Sequence, residues 1–347
     1  MKHLEGFHKG VNLGGWLSQC GEGNYNKEHY DTFMIERDFE MIRDWGLDHV
    51  RVPVDAEVIQ TPDGQMKEDG LAYIDQCIEW CRKYHLRMVL DLHKAHGYVF
   101  DDESNCQFFY QEKMQDIFVS LWTYLAERYG KYKDFLVLEL LNEVTSREFA
   151  EIWNRIAART IRAIREIDKE IRIIVGGIFN GSIFGLTLLD PPADENIVFT
   201  FHCYRPLCFT HQGAFWVDRM PKDREKWKFS YPGTVEAYKK RSLEFFGHDF
   251  DSEFPDSLPE QMDRNYFRHL MQTALDVAEK YQVPLYCGEY GVIDLAEPKD
   301  ALAWYKDMNS VLEEFGIPRT AWSLHGMNFG LADPWLDPVR EELLKYL

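Results

Sequence analysis

The sequence contains no apolar run long enough to cross a lipid bilayer, and this absence excludes a helical membrane protein. Its first residues, MKHLEGFHKGVNLGG, carry charge and histidine where a secretory signal needs an unbroken apolar stretch. We therefore predict a cytoplasmic chain with no membrane partner. A secreted chain whose signal is missing from this sequence is the alternative.

Positive charge is also scarce, because 39 lysines and arginines face 58 aspartates and glutamates, for a formal net charge of -19. A surface of this sign repels polyanions, so nucleic acid is excluded as a partner. A neutral substrate suits this surface better.

The seven cysteines are odd in number and too scattered for a disulfide framework. Cys77 and Cys81 lie one helical turn apart, but no His/Cys pair elsewhere has zinc-finger spacing. The sequence has no HExxH, DxDxDG or GxSxG string, and GEGNYN lacks the third glycine of a dinucleotide fingerprint. We predict free thiols, no metal and no cofactor.

What the 347 residues do contain is a repeated pattern of short β-branched or aliphatic runs, each followed by an amphipathic stretch with helical spacing. Eight such runs occur, at residues 8–15, 49–54, 87–93, 135–143, 171–177, 197–204, 284–291 and 319–326. Eight βα units in a chain of this length predict an α/β protein with a closed (β/α)8 barrel, the TIM barrel. Its chemistry is expected at the C-terminal ends of the strands.

A long insertion separates the sixth and seventh runs, which lie about eighty residues apart. We predict that residues 205–260 form an inserted subdomain within one catalytic domain of residues 1–347. We expect a folded flap over part of the barrel mouth, and a solvated elaboration with its own small core is the alternative. The insertion mixes charges with Phe215, Trp216, Trp227, Phe229, Tyr231, Phe245 and Phe246. Nothing resembles a coiled coil, so we predict a monomer.

Polar side chains stand at the ends of several predicted strands, a pattern that packing alone does not produce. If the barrel forms, they meet at one mouth, where burying them is costly unless they bond one another or a ligand. They are Arg51, His93, Asn142, Glu143, His202, Tyr204, Glu289 and Trp322.

Two of these residues, Glu143 and Glu289, provide the pair of carboxyl groups that glycoside hydrolysis requires. Strand alternation places Glu143 on the same face as Glu139, and leaves Glu139 deeper in the barrel with a structural hydrogen-bonding role. Arg51 and Tyr204 are expected to donate to Glu289 and keep it ionised as a nucleophile, so Glu143 becomes the acid and base. A separation of about 5 Å would indicate retention, and a wider one inversion.

Two further residues fit a sugar. Asn142 is suited to donate to a sugar 2-hydroxyl as positive charge develops at the anomeric carbon. Trp322 offers a flat apolar face to the C–H bonds of a pyranose, and simple packing in the core is its alternative role.

Seven strings, in this order, resemble glycoside hydrolase family 5, a family of retaining (β/α)8 glycosidases. They are GVNLGGWL, HVRVPV, DLHKAHGY, LELLNEV, FHCY, YCGEYGV and AWSLHGMNFG, and they run from about residue 7 to 330. Within the family the chain is most similar to the clostridial endoglucanase C type, which carries a comparable insertion. The resemblance implies a cellulase-like hydrolase with Glu143 as acid/base and Glu289 as nucleophile in a retaining double displacement.

The resemblance also implies a supporting set around the sugar at the cleavage point, consisting of Arg51, His93, Asn142, His202, Tyr204 and Trp322. One position departs from the family pattern, because DLHKAHGY has His96 where a proline is expected before the glycine. His96 either contacts a neighbouring sugar or caps the loop.

We predict endo-acting hydrolysis of β-1,4-linked glucan, with mixed-linkage glucan as a second substrate. The alternatives are β-mannan or glucomannan, and exo-action on short oligosaccharides.

Other classes of function fit the sequence less well. Two aspartates and two histidines near strand three could be imagined as metal ligands, but the second histidine lies past the strand end and no metal motif is present. These are Asp91, His93, His96 and Asp101. The glycine-rich GGIFNGS at 176–182 is compatible with a phosphate-binding barrel, but the loops after strands seven and eight supply acid where glycine and lysine are needed. A carbohydrate-binding barrel without catalysis is disfavoured because both carboxylates are present.

Overall fold

The computed structural model describes residues 2–100, 102, 104–217, 219–247 and 258–347. Eight parallel strands close into a barrel surrounded by helices, which confirms the predicted (β/α)8 fold. A separate antiparallel pair of short strands, β7 and β8, lies at the insertion and its C-terminal end. The strands are β1 (Lys9–Asn12), β2 (His49–Asp55), β3 (Arg87–Lys94), β4 (Leu136–Glu139), β5 (Ile173–Gly176), β6 (Ile197–Cys203), β7 (Gly233–Thr234), β8 (Gln261–Met262), β9 (Leu285–Tyr290) and β10 (Arg319–Ala321).

Around the barrel the strands follow the order β1, β10, β9, β6, β5, β4, β3 and β2, so each strand pairs with its neighbours along the chain once β7 and β8 are set aside. Within the described residues, no helix is long and apolar enough to cross a membrane. The helices are α1 (Lys27–Phe33), α2 (Glu36–Asp44), α3 (Ala56–Ile59), α4 (Glu68–Tyr84), α5 (Glu112–Tyr129), α6 (Ala150–Ile167), α7 (Leu207–Thr210), α8 (Arg224–Trp227), α9 (Val235–Phe246), α10 (Arg264–Tyr281), α11 (Pro298–Glu314) and α12 (Arg340–Leu343).

The amphipathic stretches of the sequence form the longer outer helices. Helix α6 buries Trp153, Ile156, Thr160 and Ile164, which recur every three or four residues. This spacing places one face of the helix against the strands and leaves the other in solvent.

Strand β4 is shorter than the predicted run at 135–143, because it ends at Glu139. Beyond Glu139 the main chain keeps single hydrogen bonds to Leu92 and Ile174, but regular pairing with both neighbouring strands stops. The strand alternation used to orient Glu143 therefore does not apply, and that step of the prediction was wrong. Glu143 lies in the loop that follows β4.

The N-terminal end of the barrel, its floor, is closed by apolar side chains. Leu4 and Phe7 come from the segment before β1 and pack on inward-facing residues of five strands. These residues are Val89, Val137, Ile174, Val198 and Tyr286. The guanidinium groups of Arg87 and Arg172 lie 6.0 and 5.3 Å from the centroid of the Phe7 ring. The N-terminal end of the barrel is therefore filled by packed apolar side chains.

The insertion is fastened to the barrel through α11. Trp304 Nε1 donates to the main-chain carbonyl of Arg205 at 2.8 Å, and the hydroxyl of Tyr231 donates to Asp307 at 2.7 Å. Trp227 of the insertion belongs to the same hydrophobic core as the barrel helices. The division into one domain with an inserted subdomain stays a prediction.

Candidate active site

The polar strand ends meet at the C-terminal end of the barrel, its mouth, around the side chain of Arg51. Arg51 lies on β2 and is completely buried. Its guanidinium donates to the carboxylates of Glu139 on β4 and Glu289 on β9, at 2.7 Å in each case. It also donates to the amide oxygens of Asn12 at 3.0 Å and Asn142 at 2.9 Å. One side chain thus connects β1, β2, β4 and β9.

The charge of Arg51 is stabilised by the carboxyl groups that face it. Burial alone would lower the pKa of Arg51, but Asp91, Glu139 and Glu289 outweigh it and hold this pKa well above its ordinary value. Asp91 contributes from β3, with its Oδ2 at 3.1 Å from Nη2. The guanidinium stays charged over the usual pH range.

Glu289 receives two hydrogen bonds at the mouth. Arg51 donates to one carboxylate oxygen at 2.7 Å, and the hydroxyl of Tyr204 donates to the other at 2.8 Å. Burial, and then the charge of Glu289, raise the pKa of Tyr204 well above its ordinary value, so this hydroxyl keeps its proton. The neighbouring Gly288 is needed because a Cβ there would lie 2.8 Å from Oγ1 of Thr200. Both donors are those expected from the sequence.

Glu143 reaches the same space from the loop after β4. Its Oε1 lies 2.7 Å from Nδ1 of His202, which stands on β6. Burial lowers the pKa of His202, so its imidazole is neutral at neutral pH. The hydroxyl of Tyr98 donates to the main-chain carbonyl of Glu143 at 2.7 Å and holds the loop in place.

The two glutamates share one gap. Glu143, His202 and Glu289 each present an atom within 4.8 Å of the other two. Three ligand atoms at this spacing could attract a cation, but the guanidinium of Arg51, bonded to Glu289, opposes a second positive charge there. The arrangement suits nucleophilic and acid–base chemistry better than metal binding.

His93 and Trp322 form a stacked pair beside this gap. Their ring centroids are 5.5 Å apart and their planes differ by 6°. Nδ1 of His93 lies 2.7 Å from Asp91, and burial lowers the pKa of His93 to about 3, so the ring is neutral. Gly14 allows the indole to approach, because a Cβ there would lie 2.7 Å from Trp322.

His96 is the predicted site residue that the structure places elsewhere. It lines a small cavity with Gln60 and Met114, on the outer side of β3 near α3 and α5. The main chains of Ala95 and Tyr98 pair in a tight turn, and this turn carries His96 away from the mouth. The placement favours a role within the loop over contact with a sugar.

Three buried residues of the network were not among the predicted site residues: Asn12, Asp91 and Glu139. Asn12 ends β1 and donates through Nδ2 to the carbonyl of Gly288 at 3.0 Å, directly before Glu289. The signal that identified the other residues, a polar side chain at a strand end, would have identified Asn12. Glu139 is buried and hydrogen-bonded, as the sequence predicted, although its partner Arg51 could not be named in advance.

Two sequence predictions fall outside the described residues. Asp101, weighed as a metal ligand, is one of them. The other concerns positions 218 and 248–257 of the predicted subdomain.

A (β/α)8 barrel that sets two carboxyl groups against each other at its mouth, one of them held by an arginine and a tyrosine, defines the class of the glycoside hydrolases. The comparisons with known proteins give the family. The family model "Cellulase (glycosyl hydrolase family 5)" matches residues 12–328. The chain belongs to glycosyl hydrolase family 5, the cellulase family, as its resemblance implied.

Two relatives show how far the similarity extends. Cellodextrinase A of Ruminococcus flavefaciens is 42% identical over 321 residues, which cover 92% of this chain and 86% of that protein. Endoglucanase C of Acetivibrio thermocellus is 38% identical over 343 residues, 98% of each chain. The protein is therefore an O-glycosyl hydrolase.

Solved structures agree on the fold. Thermotoga maritima Cel5A in complex with cellobiose has a TM-score of 0.76 at 23% identity, covering 98% of this chain and 97% of the other. The clostridial cellulose synthase subunit Z (CcsZ) of Clostridioides difficile has a TM-score of 0.74 at 26% identity, covering 97% and 99%.

Proposed function

We propose that this enzyme hydrolyses β-1,4-linked glucan with retention of configuration, with Glu289 as the nucleophile and Glu143 as the acid and base. The observation that carries the proposal is the gap between the two carboxyl groups, which have oxygens within 4.8 Å of each other. Retaining glycosidases hold the pair about 5–5.5 Å apart, whereas inverting enzymes need about 6.5–9.5 Å to admit a water. The narrow gap supports retention.

The two roles follow from the partners of each glutamate. Arg51 and Tyr204 both donate to Glu289 and stabilise a negative charge on it, as a nucleophile needs. Two negative charges this close repel each other, which favours a proton on the carboxyl group that has no cationic partner. That proton belongs on Glu143, beside the neutral His202.

In the first half-reaction, Glu289 attacks the anomeric carbon while Glu143 gives its proton to the glycosidic oxygen, and the bond to the leaving sugar breaks. In the second, the ionised Glu143 takes a proton from water, and the water oxygen displaces Glu289 from the anomeric carbon. Each step inverts the anomeric centre, so the product retains the original configuration.

The sugar at the cleavage point has three proposed contacts. Oδ1 of Asn142 accepts from Arg51, which leaves its amide N–H groups to donate to the 2-hydroxyl. Nδ1 of His93 is taken by Asp91, which leaves Nε2 for another hydroxyl. Trp322 offers its indole to the C–H face of the pyranose.

The substrate class is proposed from the relatives, which bear the names endoglucanase C and cellodextrinase A. We infer endo-action on β-1,4-glucan, with mixed-linkage glucan as a second substrate. β-Mannan and glucomannan stay predictions without further support.

A second candidate, action on short soluble oligosaccharides, is favoured by the insertion. Trp216 of the insertion is 45% exposed, and its ring lies 6.5 Å from Phe329, which itself lies 5.8 Å from Tyr204. An aromatic wall on this side of the mouth would limit the number of sugars that bind. The similarity to a protein named cellodextrinase supports the same inference.

An aryl 2-deoxy-2-fluoro-β-cellobioside tests the mechanism, because fluorine slows the second half-reaction and the covalent intermediate accumulates. We expect intact mass spectrometry to show one added fluorocellobiosyl group and peptide mapping to place it on Glu289. A label on a different residue, or a product of inverted configuration by NMR, would contradict the proposal.

The substrate is tested by product profiles on cellohexaose, carboxymethylcellulose, barley mixed-linkage glucan and mannohexaose. Internal cleavage of the first three supports endo-glucanase action. Release of cellobiose or glucose from one end of cellohexaose only, with the polymers uncleaved, would favour the second candidate.

A further inference from the structure

Glu139 lies one layer below the reacting pair and has no access to a substrate, because it is completely buried. We propose that Glu139 is a positioning residue that fixes the orientation of Arg51 and, through Arg51, keeps the nucleophile Glu289 ionised and aligned. The inference rests on the roles proposed above for Glu289 and Glu143.

The first argument is an inventory of the N–H groups of Arg51. A guanidinium has five of them, and all five are used. Two go to Glu139, from Nε at 2.7 Å and from Nη2 at 3.0 Å. The others go to Asn142, Asn12 and Glu289.

The second argument is geometric. Glu139 is the partner that binds Arg51 through two parallel hydrogen bonds, and a fork of this kind fixes the plane of the guanidinium as well as its position. With the Nε edge fixed on Glu139, Nη1 is directed at Glu289 on β9. A single bond to Glu289 would not define that direction by itself.

The third argument concerns charge. Arg51 faces three carboxyl groups, and its single positive charge cannot balance three negative charges. Asp91 is the one that receives none of the five N–H groups, and its Oδ1 is buried with no hydrogen-bond partner among the described residues. Burial raises the pKa of Asp91 to about 7, so it carries a proton at mildly acidic pH. Burial raises the pKa of Glu139 as well, but the charge of Arg51 and its two hydrogen bonds favour the ionised form of this carboxyl group. The anionic partners of Arg51 are then Glu139 and Glu289.

The surroundings of this cluster are titratable on every side. Three elements supply the titratable groups that face Arg51 and Glu289: β3, β4 with its loop, and β6 with the residue after it. These groups are Asp91, His93, Glu139, Glu143, His202 and Tyr204. Asp55 and Lys94 lie further out, at the ends of β2 and β3. His93 and His202 are neutral, and Tyr204 keeps its proton. Within this set, Glu139 is the carboxylate that shares Arg51 with the nucleophile.

The test compares Glu139→Gln with Glu139→Asp, using an aryl β-cellobioside over a range of pH. Glutamine turns an N–H group toward the guanidinium and breaks the fork, so Glu289 loses a well-placed cationic donor. We expect kcat to fall by about 100-fold with KM within about threefold. We also expect the acidic limb of kcat/KM to move to higher pH, because a carboxylate that loses such a donor takes up a proton more easily. Aspartate keeps the charge and should restore part of both.

Asp91→Asn is the matched control, since it removes a carboxyl group at a similar distance from Arg51 on the neighbouring strand. Asp91 already carries a proton at the pH of the acidic limb, so the limb should stay in place even if kcat falls.

Several outcomes would overturn the proposal. Folded Glu139 variants with an unmoved acidic limb would assign Glu139 to stability alone. A limb that moves to lower pH would show that Glu139 acts only as a charge opposing Arg51. Variants that do not fold would assign it to the core. Failure of the proposed function is a separate result, because it would appear as a fluorosugar label on a residue other than Glu289 in the unmodified enzyme.

Discussion

The two ends of the barrel surround their arginines with different partners. At the mouth, Arg51 is completely buried and gives every N–H group to a carboxylate or amide oxygen. At the floor, Arg87 and Arg172 lie near the ring of Phe7, and Arg172 donates to the main-chain carbonyl of Glu5 at 3.1 Å. The arginine at the mouth is held in one direction by its partners, whereas the arginines at the floor lie over apolar side chains.

The balance of charge differs in the same way. A floor cavity of about 590 Å³ is lined by basic and acidic residues in similar numbers, namely Arg87, Lys133 and Arg172 with Glu5, Asp134, Glu170 and Glu195. The mouth sets one arginine against three carboxyl groups in a buried cluster. A catalytic site needs charge held in a fixed direction, whereas the closed end of a barrel mainly needs packing. Substitutions at the two ends should therefore affect different measurements.

The largest effect is expected for Glu289→Gln at the mouth. We expect kcat on an aryl β-cellobioside to fall by about 1,000-fold or more, because the amide cannot form the glycosyl-enzyme intermediate. Binding of cellotetraose, measured by calorimetry, should persist. Glu195→Gln at the floor is the control and should keep full activity. Normal turnover by the Glu289 variant would contradict the assignment of the nucleophile.

Phe7→Ala at the floor should have the opposite effect, a loss of stability with activity retained. Phe7 is completely buried, and truncating a buried phenylalanine costs about 3–5 kcal/mol of unfolding free energy. Urea denaturation measures this loss, while kcat at 25 °C should stay near that of the wild type. Tyr110→Ala, at a position 70% exposed, is the control. A loss of kcat without a loss of stability would mean that the floor is coupled to the mouth.

Asp91→Asn tests the charge balance at the mouth through stability. The pKa of Asp91 is about 7 in the folded chain and about 4 in an unfolded one, so between these values the folded chain holds a proton that the unfolded chain has lost. The free energy of unfolding of the wild type should therefore decrease as the pH rises from 4 to 7. The free energy of unfolding of the variant, which has no carboxyl group at this position, should not show this decrease. The melting temperature of the variant minus that of the wild type should increase as the pH rises from 4 to 7, and should stay constant above pH 7. A difference independent of pH would show that Asp91 is ionised throughout, and Asp190→Asn provides an exposed control.

The smallest effect is expected at the rim of the mouth. Trp216→Ala should lower kcat/KM for cellotetraose and longer chains by up to about tenfold, because stacking on an exposed aromatic ring contributes only about 0.5–1.5 kcal/mol. Activity on an aryl β-cellobioside should change less. Leu243→Ala, half-exposed in the same insertion, is the control. Equal losses on short and long substrates would argue against a role of Trp216 in chain length.

Much of the fold and part of the candidate site could be predicted because their signals are local. Runs of β-branched residues with helical spacing between them identify strands and helices, and a polar residue where such a run ends indicates the mouth. Asn142, Glu143 and Glu289 could be found in this way. The two roles left open for His96 could not be separated from the sequence, because His96 follows a strand end and its direction depends on the turn between Ala95 and Tyr98.

By itself, the sequence determined which side chains are carried to the mouth, because the order of strands and helices follows from periodicities of a few residues. Tertiary structure alone decided how those side chains pair. Arg51 lies 88 positions from Glu139 and 238 from Glu289, and only closure of the barrel brings them within 2.7 Å. The physical reason is that hydrogen bonds and ion pairs depend on ångström-scale distances, which the curvature and stagger of the closed sheet set and no local pattern records.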